Sequence, residues 1–424
     1  MMDMKIMPGR MAGSVTAALS KSDAHRVIIC SALSQESTTI PYERVMSEDI
    51  KATVSCLDAL GANISLSAGR IRIEPIDITQ NFNKGKTLDC NESGTTLRFL
   101  LSLASALGGT FQVIGSGRLP ERPLSHLITQ LQLHGMEFSQ TKLPMTVTGK
   151  LTPGKYQFPG DVSSQYISGL LVALPLLDGN SIINMDSQLQ SSGYVDMTVK
   201  TLNEFGVNIV ATDGSYEITG NQNYISNGKK EIEGDWSNAA FWLSAGALST
   251  DGITVSGLDM NSLQRDKGII AVLKSIGAHI TMEGRSIKIK RKILKSIELD
   301  ASQIPDLVPV LAALLSVCQG TSIIRNASRL RDKESDRLHG AAVNINALGG
   351  QVEVTGDGLK IMGHPKLNGG TVKSFDDHRN AMSMAILNAV CDSPIIIEDA
   401  QAVNKSYPDF FEDMKILGGE CIAI

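Results

Sequence analysis

Six times along the chain, an amphipathic run ends in an apolar or histidine residue, a glycine and a short strand-like segment. The copies are LDALGANI, LQLHGMEF, LNEFGVNI, LKSIGAHI, INALGGQV and MKILGGEC. Their glycines, Gly61, Gly135, Gly206, Gly277, Gly349 and Gly418, lie 69 to 74 residues apart. Glycine just past a helix end is the favoured left-handed cap, so each copy predicts a helix that stops and turns into a strand. So regular a spacing marks an internal repeat, and this period exceeds that of ordinary solenoid units.

A second helical stretch recurs at the same period: KSDAHRVIICSALS, SGTTLRFLLSLASALGG, SSQYISGLLVALPLLDG, DWSNAAFWLSAGALSTDG, IPDLVPVLAALLSVCQG and DDHRNAMSMAILNAVCD. These stretches are rich in small and apolar residues with little polar face, which predicts helices buried nearly all round. Strand-like segments such as TFQVIG, NSIINM, GITVSG and TSIIRN separate the two helix types. Each repeat reads as strand, buried helix, strand, outer helix, strands. Six repeats in 424 residues predict an α/β chain of two domains with three units each.

The polar residues of the buried helices cluster at their starts: Lys21-Ser22, Ser93-Gly94-Thr95, Ser163-Ser164-Gln165, Asp235-Trp236-Ser237, Pro305-Asp306 and Asp377-His378-Arg379. Capping accounts for some of the serines and aspartates. It does not account for Lys21, Arg26, Arg98 or Arg379, because a cation in the first turns opposes the helix dipole unless an anion sits beside it. If the buried helices run parallel, their N-termini form an anion site. The outer helices also open on polar stretches, including RLPERPLSH, SSGYVDM, LRDKESDRL and NKSYPDF. Taken alone, LRDKESDRL reads as a solvated helix end; in the repeat it occupies a ligand-facing position.

Composition narrows the function. The net charge of −5 gives no global case for nucleic-acid binding, so any basic site is local. Cys30, Cys56, Cys90, Cys318, Cys391 and Cys421 are scattered, without a C-x-x-C pair, and predict buried free thiols in a reducing compartment. With no secretory signal and no apolar run long enough for a bilayer, a cytoplasmic protein without membrane contact is expected. The histidines have no metal-site spacing, and no Walker or dinucleotide fingerprint occurs; neither metal nor organic cofactor is expected. The candidate site gathers Lys21, Arg26, Arg122, Lys333, Arg337, Arg379 and Lys405, with Ser22, Ser163, Ser164 and Ser191 as hydroxyl donors. Arginine forks suit carboxylates and phosphates. Asp306 and Glu334 sit among these cations either as counter-ions or as a general base and a general acid.

The motifs KSDAHR, SGTTLR, ERP, SSQY, SSGYVDMT, GDWSNAA, IPD, RDKESDR, DHRNAM and KSYPDFF occur in the order found in 5-enolpyruvylshikimate-3-phosphate synthases. The chain resembles that family over essentially its whole length. The resemblance implies two inside-out α/β barrel-like domains of three βαβαββ units each. Residues 20–233 would form the first, and residues 1–19 with 234–424 the second, with the active site in the cleft between them. It implies transfer of the enolpyruvyl group of phosphoenolpyruvate to the 5-hydroxyl of shikimate 3-phosphate, with release of phosphate, by a monomer. Carried over by position, Lys21 touches both substrates. Ser22, Arg26, Ser163, Ser164, Gln165, Ser191, Asp306 and Lys333 resemble the shikimate 3-phosphate set. Gly94, Arg122, Gln165, Arg337, Arg379 and Lys405 resemble the phosphoenolpyruvate set. Asp306 resembles the base for the 5-hydroxyl, and Glu334 the acid for the methylene carbon, with Lys21 as the alternative.

Two positions depart from the pattern. Glu92 stands where many relatives have Asn, and Arg329 where some have Asn; Arg329 is not assigned to the site. Retention of Gly94 and the form of SSQYISG imply sensitivity to glyphosate. The sister transferases acting on UDP-N-acetylglucosamine carry Lys-Asn near the start and a loop cysteine. This chain has Lys21-Ser22 and no cysteine around Arg122. RNA 3′-terminal phosphate cyclases share the repeat, but the acidic balance here disfavours nucleic acid.

Overall fold

All six repeat glycines adopt the left-handed conformation, with φ between 77° and 107°. Each lies just beyond a one-sided helix: Glu48–Leu60, Ser125–Leu133, Gly193–Glu204, Ile269–Ser275, Arg337–Ala347 and Phe410–Ile416. This is a computed structural model that describes residues 2–424 apart from 84, 188 and 213. The second set of helices comprises Lys21–Ala32, Gly94–Leu107, Ser164–Ala173, Trp236–Leu248, Val308–Leu315 and His378–Ala385. Every residue of the last three is buried. Inner helices so enclosed must satisfy their own polar side chains. Ser102 and Ser105 do so by donating to the carbonyls of Arg98 (3.1 Å) and Leu101 (2.8 Å) one turn back. The small residues also set the packing distance. A Cβ on Gly169 would meet the Arg98 carbonyl oxygen at 2.6 Å, so the helices Gly94–Leu107 and Ser164–Ala173 approach through that glycine.

The chain divides into two compact units, Met1–Ser20 with Glu233–Ile424, and Lys21–Ile232. The sheets repeat one plan: a parallel pair, then an antiparallel strand, then an antiparallel edge. The orders Lys86–Asp89, Gly109–Ile114, Met145–Gly149, Met136–Phe138 and Glu298–Asp300, Thr321–Arg325, Leu359–Met362, Gln351–Val354 show it. Their strands alternate buried and exposed residues, as in Met145–Gly149, so one face covers the inner helices and the other meets solvent.

The chain's start completes two sheets of the first-named unit. Gly13–Thr16 pairs parallel with Ile253–Ser256. Met4–Ile6 inserts antiparallel between Ile395–Glu398 and Cys421–Ala423. In the other unit, the sheet of Thr38–Pro41, Arg70–Glu74 and Asn63–Ser67 has three strands. Residues 228–230 flank it, the Thr39 amide donating to Gly228 O (3.0 Å) and the Lys230 amide to Thr39 O (3.1 Å).

The core of the first-named unit is anchored by Trp242, stacked on Phe410 at 4.6 Å. Its indole N–H donates to Tyr407 Oη (3.0 Å), which donates to the buried carboxylate of Asp413 (2.5 Å). Cys30, Cys56, Cys90, Cys318, Cys391 and Cys421 are all free and buried. Among the described residues, no helix is long and apolar enough to cross a membrane.

The glycines give a graded test in the Lys21–Ile232 unit. A Cβ on Gly206 has only ordinary contacts, whereas one on Gly149 would meet the Gly135 carbonyl oxygen at 2.5 Å. Gly206→Ala is expected to cost about 1–2 kcal/mol, the left-handed penalty alone. Gly149→Ala should cost more, because backbone must move as well. Urea denaturation followed through that unit's transition checks the order.

Candidate active site

In the Lys21–Ile232 unit, the first turns of several helices share hydrogen bonds. Lys21 opens its helix and its Nζ lies 2.6 Å from Asp49 Oδ2, in the first turn of Glu48–Leu60. Asp49 is the anionic partner a cation at that position needs, and nothing in the sequence singled it out. Arg26, one turn on, is buried; its Nε donates to Thr198 Oγ1 (2.8 Å), Nη2 to Tyr194 O (2.7 Å) and Nη1 to Ser22 O (2.5 Å). Burial pulls this guanidinium down to about 10, against Asp23 and Tyr194. Arg26 thus ties the Lys21 helix to Gly193–Glu204, its anionic neighbour being Asp23. His25 is held well below its ordinary pKa, first by burial and then by Lys21 and Arg26. Its Nδ1 begins a buried chain to Thr53 (2.8 Å), Thr96 (2.7 Å) and the cap Ser93 (2.7 Å).

Ser93 caps Gly94–Leu107 by accepting from the Thr96 amide. Arg122 and Arg98 close over that helix end. A Cβ on Gly94 would lie 2.6 Å from Arg122 Nη1 and 2.7 Å from Arg98 Nη1, so only glycine leaves both guanidiniums in place. Arg98 Nη1 donates to Gln165 Oε1 (2.6 Å), and Gln165 Nε2 to Thr95 Oγ1 (2.8 Å). Gln165 therefore bridges two helix N-termini. Ser163 caps the helix that Ser164 opens. Ser191, two residues ahead of Gly193–Glu204, is buried and has φ of 56°, a strained conformation for a serine. Lys21, Ser22, Arg26, Gly94, Arg122, Ser163, Ser164, Gln165 and Ser191 all belong to this unit.

The other unit holds Asp306, Lys333, Glu334, Arg337, Arg379 and Lys405. Arg337 is their hub. Its side chain is only 2% exposed, which removes the solvated-face reading of LRDKESDRL. Nη1 binds Asp306 Oδ1 (2.8 Å), Nη2 binds Glu334 Oε2 (2.7 Å) and Nε binds Asp377 Oδ2 (2.8 Å). Asp377 is fully buried, caps His378–Ala385 through the Arg379 amide and accepts from Ser335 Oγ (3.0 Å). Within the same charge run, Asp336 has the structural task of capping Arg337–Ala347, and Arg331 pairs with it at 3.4 Å.

Asp306 precedes Val308–Leu315 on a 3-10 turn, Pro305–Leu307. Arg379 reaches it twice, Nη2 to Oδ2 at 3.3 Å and Nη1 to its carbonyl at 3.1 Å. Burial alone would push the Asp306 carboxyl up. Arg379, Lys333 and Arg337 outweigh burial and the repulsion of Glu334, and hold it well below the usual carboxylate range. Lys405 Nζ sits 3.2 Å from Asp376 Oδ2. Sequence reasoning missed Asp266, which is buried and pushed up to about 7 by burial and then by Asp306. Among the described residues no cluster could hold a metal ion.

Replacing Arg337 by Leu removes the cation that Asp377, Asp306 and Glu334 share. The expected cost is about 3–5 kcal/mol at neutral pH. The sign with pH follows from Asp306. Its depressed folded pKa stabilises the wild type above the unfolded value, and that contribution is lost as pH falls through the folded value. In Arg337→Leu, Asp306 keeps Arg379 and Lys333 but loses one of the cations that hold it low, so the variant has less of this contribution to lose and the deficit should shrink as pH falls through its folded value. Denaturation followed from pH 7 down to about pH 2 checks this.

Comparison with known proteins fits this arrangement. The family model for EPSP synthase (3-phosphoshikimate 1-carboxyvinyltransferase) matches residues 6–414. A 3-phosphoshikimate 1-carboxyvinyltransferase of Clostridium novyi (strain NT) is 41% identical over 440 residues, covering 99% of this chain and 98% of that protein. One from Clostridium kluyveri is 44% identical over 425 residues, covering 98% and 97%. In fold, the chain is similar to an EPSP synthase from Acinetobacter baumannii, with a TM-score of 0.82 at 24% identity and full coverage of both chains. It is also similar in fold to the enolpyruvyl transferase NikO from Streptomyces tendae, with a TM-score of 0.79 at 17% identity, covering 100% and 98%. With the model spanning nearly all of its length and relatives this similar end to end, the chain belongs to the EPSP synthase (3-phosphoshikimate 1-carboxyvinyltransferase) family.

Proposed function

We infer that this protein transfers the enolpyruvyl group of phosphoenolpyruvate to the 5-hydroxyl of shikimate 3-phosphate and releases phosphate, a step of aromatic biosynthesis. Family membership carries the reaction. The observation that carries the assignment of roles is the pair of acids, Asp306 and Glu334, bonded to one buried guanidinium, Arg337.

Both substrates are polyanions, and their mutual repulsion has to be offset by fixed cations. In our reading, Ser22, Arg26, Ser163, Ser164, Gln165, Ser191, Asp306 and Lys333 serve shikimate 3-phosphate. Gly94, Arg122, Gln165, Arg337, Arg379 and Lys405 serve phosphoenolpyruvate, and Lys21 serves both. The helix starts that carry Gly94 and Ser164 add unpaired backbone N–H groups, which favour anions.

Asp306 and Glu334 are bonded to cations that also suit substrate anions. Each occupies cations that a phosphate or carboxylate would otherwise engage. A carboxylate held as low as Asp306 is a poor base. Incoming anions compete for Arg379, Lys333 and Arg337, and so raise the proton affinity of Asp306 when a base is needed. The chemistry then runs in balance. Glu334, protonated once an incoming anion takes its share of Arg337, gives that proton to the methylene carbon of phosphoenolpyruvate, and the neighbouring carbon becomes electron-poor. The 5-oxygen bonds to that carbon while Asp306 takes its proton, giving a tetrahedral intermediate. The carbon–oxygen bond to phosphate breaks, the phosphate leaves with the proton held by Asp306, and a methyl proton returns to Glu334 as the double bond is restored. Preorganised cations stabilise charge at each stage without reorganising. The six buried free thiols support a reducing, cytoplasmic setting.

Phosphate release is the test. It is expected with phosphoenolpyruvate plus shikimate 3-phosphate, and absent with either alone or with UDP-N-acetylglucosamine as acceptor. Asp306→Asn and Glu334→Gln should each lower kcat by about 10²–10⁴-fold, the usual yield of a general base or acid. Wild-type turnover in either variant would contradict the assigned roles.

A further inference from the structure

Glu92 is an acid placed next to a helix end that two arginines cover. In electrostatic terms alone it opposes an anion there. Its surroundings show what its carboxylate does instead. Gly117 has φ of 55° and no side chain, and a Cβ built on it would lie 1.6 Å from Glu92 Oε1 and 2.5 Å from Glu92 Cδ. The carboxylate therefore fills the space that any other residue at 117 would take. Its neighbours lock the same two loops. The Ser116 amide donates to Asn91 O (2.8 Å) and Ser116 Oγ to Asn91 Oδ1 (2.8 Å). A Cβ on Gly115 would meet Asn91 O at 3.0 Å. From Ser116 the chain winds through consecutive turns, Leu119 N to Ser116 O (3.1 Å) and Arg122 N to Leu119 O (3.2 Å). It ends at the guanidinium lying over Gly94.

We propose that Glu92 is a positioning residue for Arg122: its carboxylate, seated in the notch left by Gly117, fixes the 115–122 loop against the start of the Gly94 helix and so sets where Arg122 meets an anion. This rests on the reading of Arg122 as a phosphoenolpyruvate cation.

The test is a double-mutant cycle on the full chain, read as separate KM values for the two substrates and as kcat. Glu92→Ala empties the notch, and Gly117→Ala fills it and expels the carboxylate. Each should raise KM for phosphoenolpyruvate about tenfold through misplacement of Arg122, with KM for shikimate 3-phosphate within about twofold. Because both changes break one contact, Glu92→Ala/Gly117→Ala should be no worse than Glu92→Ala. Multiplying effects in the double variant or an unchanged KM in Glu92→Ala would each overturn the proposal. Arg122→Ala is the control on the underlying reading. If it leaves the phosphoenolpyruvate KM unchanged, Arg122 is not a substrate cation; if it raises KM while Glu92→Ala does not, only the positioning role fails.

Discussion

A buried guanidinium with three carboxylates around it is the constraint on which the Asp306 half-site depends. Arg337 is 2% exposed and bonds Asp306, Glu334 and Asp377. Taking so many charges from water is costly, and their attraction offsets that cost only with good geometry and every donor used. Three segments far apart in sequence are therefore held in register: the turn before Val308–Leu315, the start of Arg337–Ala347 and the cap of His378–Ala385. Replacing the cluster with apolar residues would keep the packing and lose the chemistry. On the proposed reading, its value lies in holding two acids where anions can displace them from their cations.

The repeat explains why such a cluster forms at helix starts. Inner helices made of small and apolar residues bury on all sides, so their charged residues have room only towards the starts. Those ends carry unpaired N–H groups and partial positive charge. In the Lys21–Ile232 unit, Gln165, Thr95 and Arg98 link two such ends, and His25, Thr53, Thr96 and Ser93 join the helices Lys21–Ala32 and Glu48–Leu60 to one of them. These bonds fix the helix starts against one another, and on the proposed reading such preorganisation lowers the cost of binding polyanions.

Much of this was legible in the chain because it is local. The six cap glycines announced their helix ends by spacing alone, and the burial of the inner helices followed from their composition. The cations surfaced because positive charge at helix starts conflicts with ordinary helix chemistry, and Asp306 and Glu334 because they sit among those cations. What stayed hidden is non-local. The pairing of Gly13–Thr16 with Ile253–Ser256 spans more than two hundred residues, and no local periodicity records it; only the family resemblance hinted at it. Asp49 reads as a favourable first-turn acid, and its bond to Lys21 exists only in three dimensions. Arg337 looked like a solvent-facing or ligand-facing arginine, because nothing in LRDKESDRL reports that Asp377, forty residues on, closes over it. Asp266 gave no signal either, since its raised proton affinity comes from burial beside Asp306.

The central claim is that substrate anions release Asp306 from its cations and so make it a base. Calorimetry in two buffers of different ionisation enthalpy counts protons exchanged when inorganic phosphate binds protein already holding shikimate 3-phosphate, a mixture that cannot turn over. The account predicts that near pH 6 the wild type takes up more protons than Asp306→Asn, because only the wild type has that carboxylate to protonate. Equal proton counts for the two proteins would contradict it.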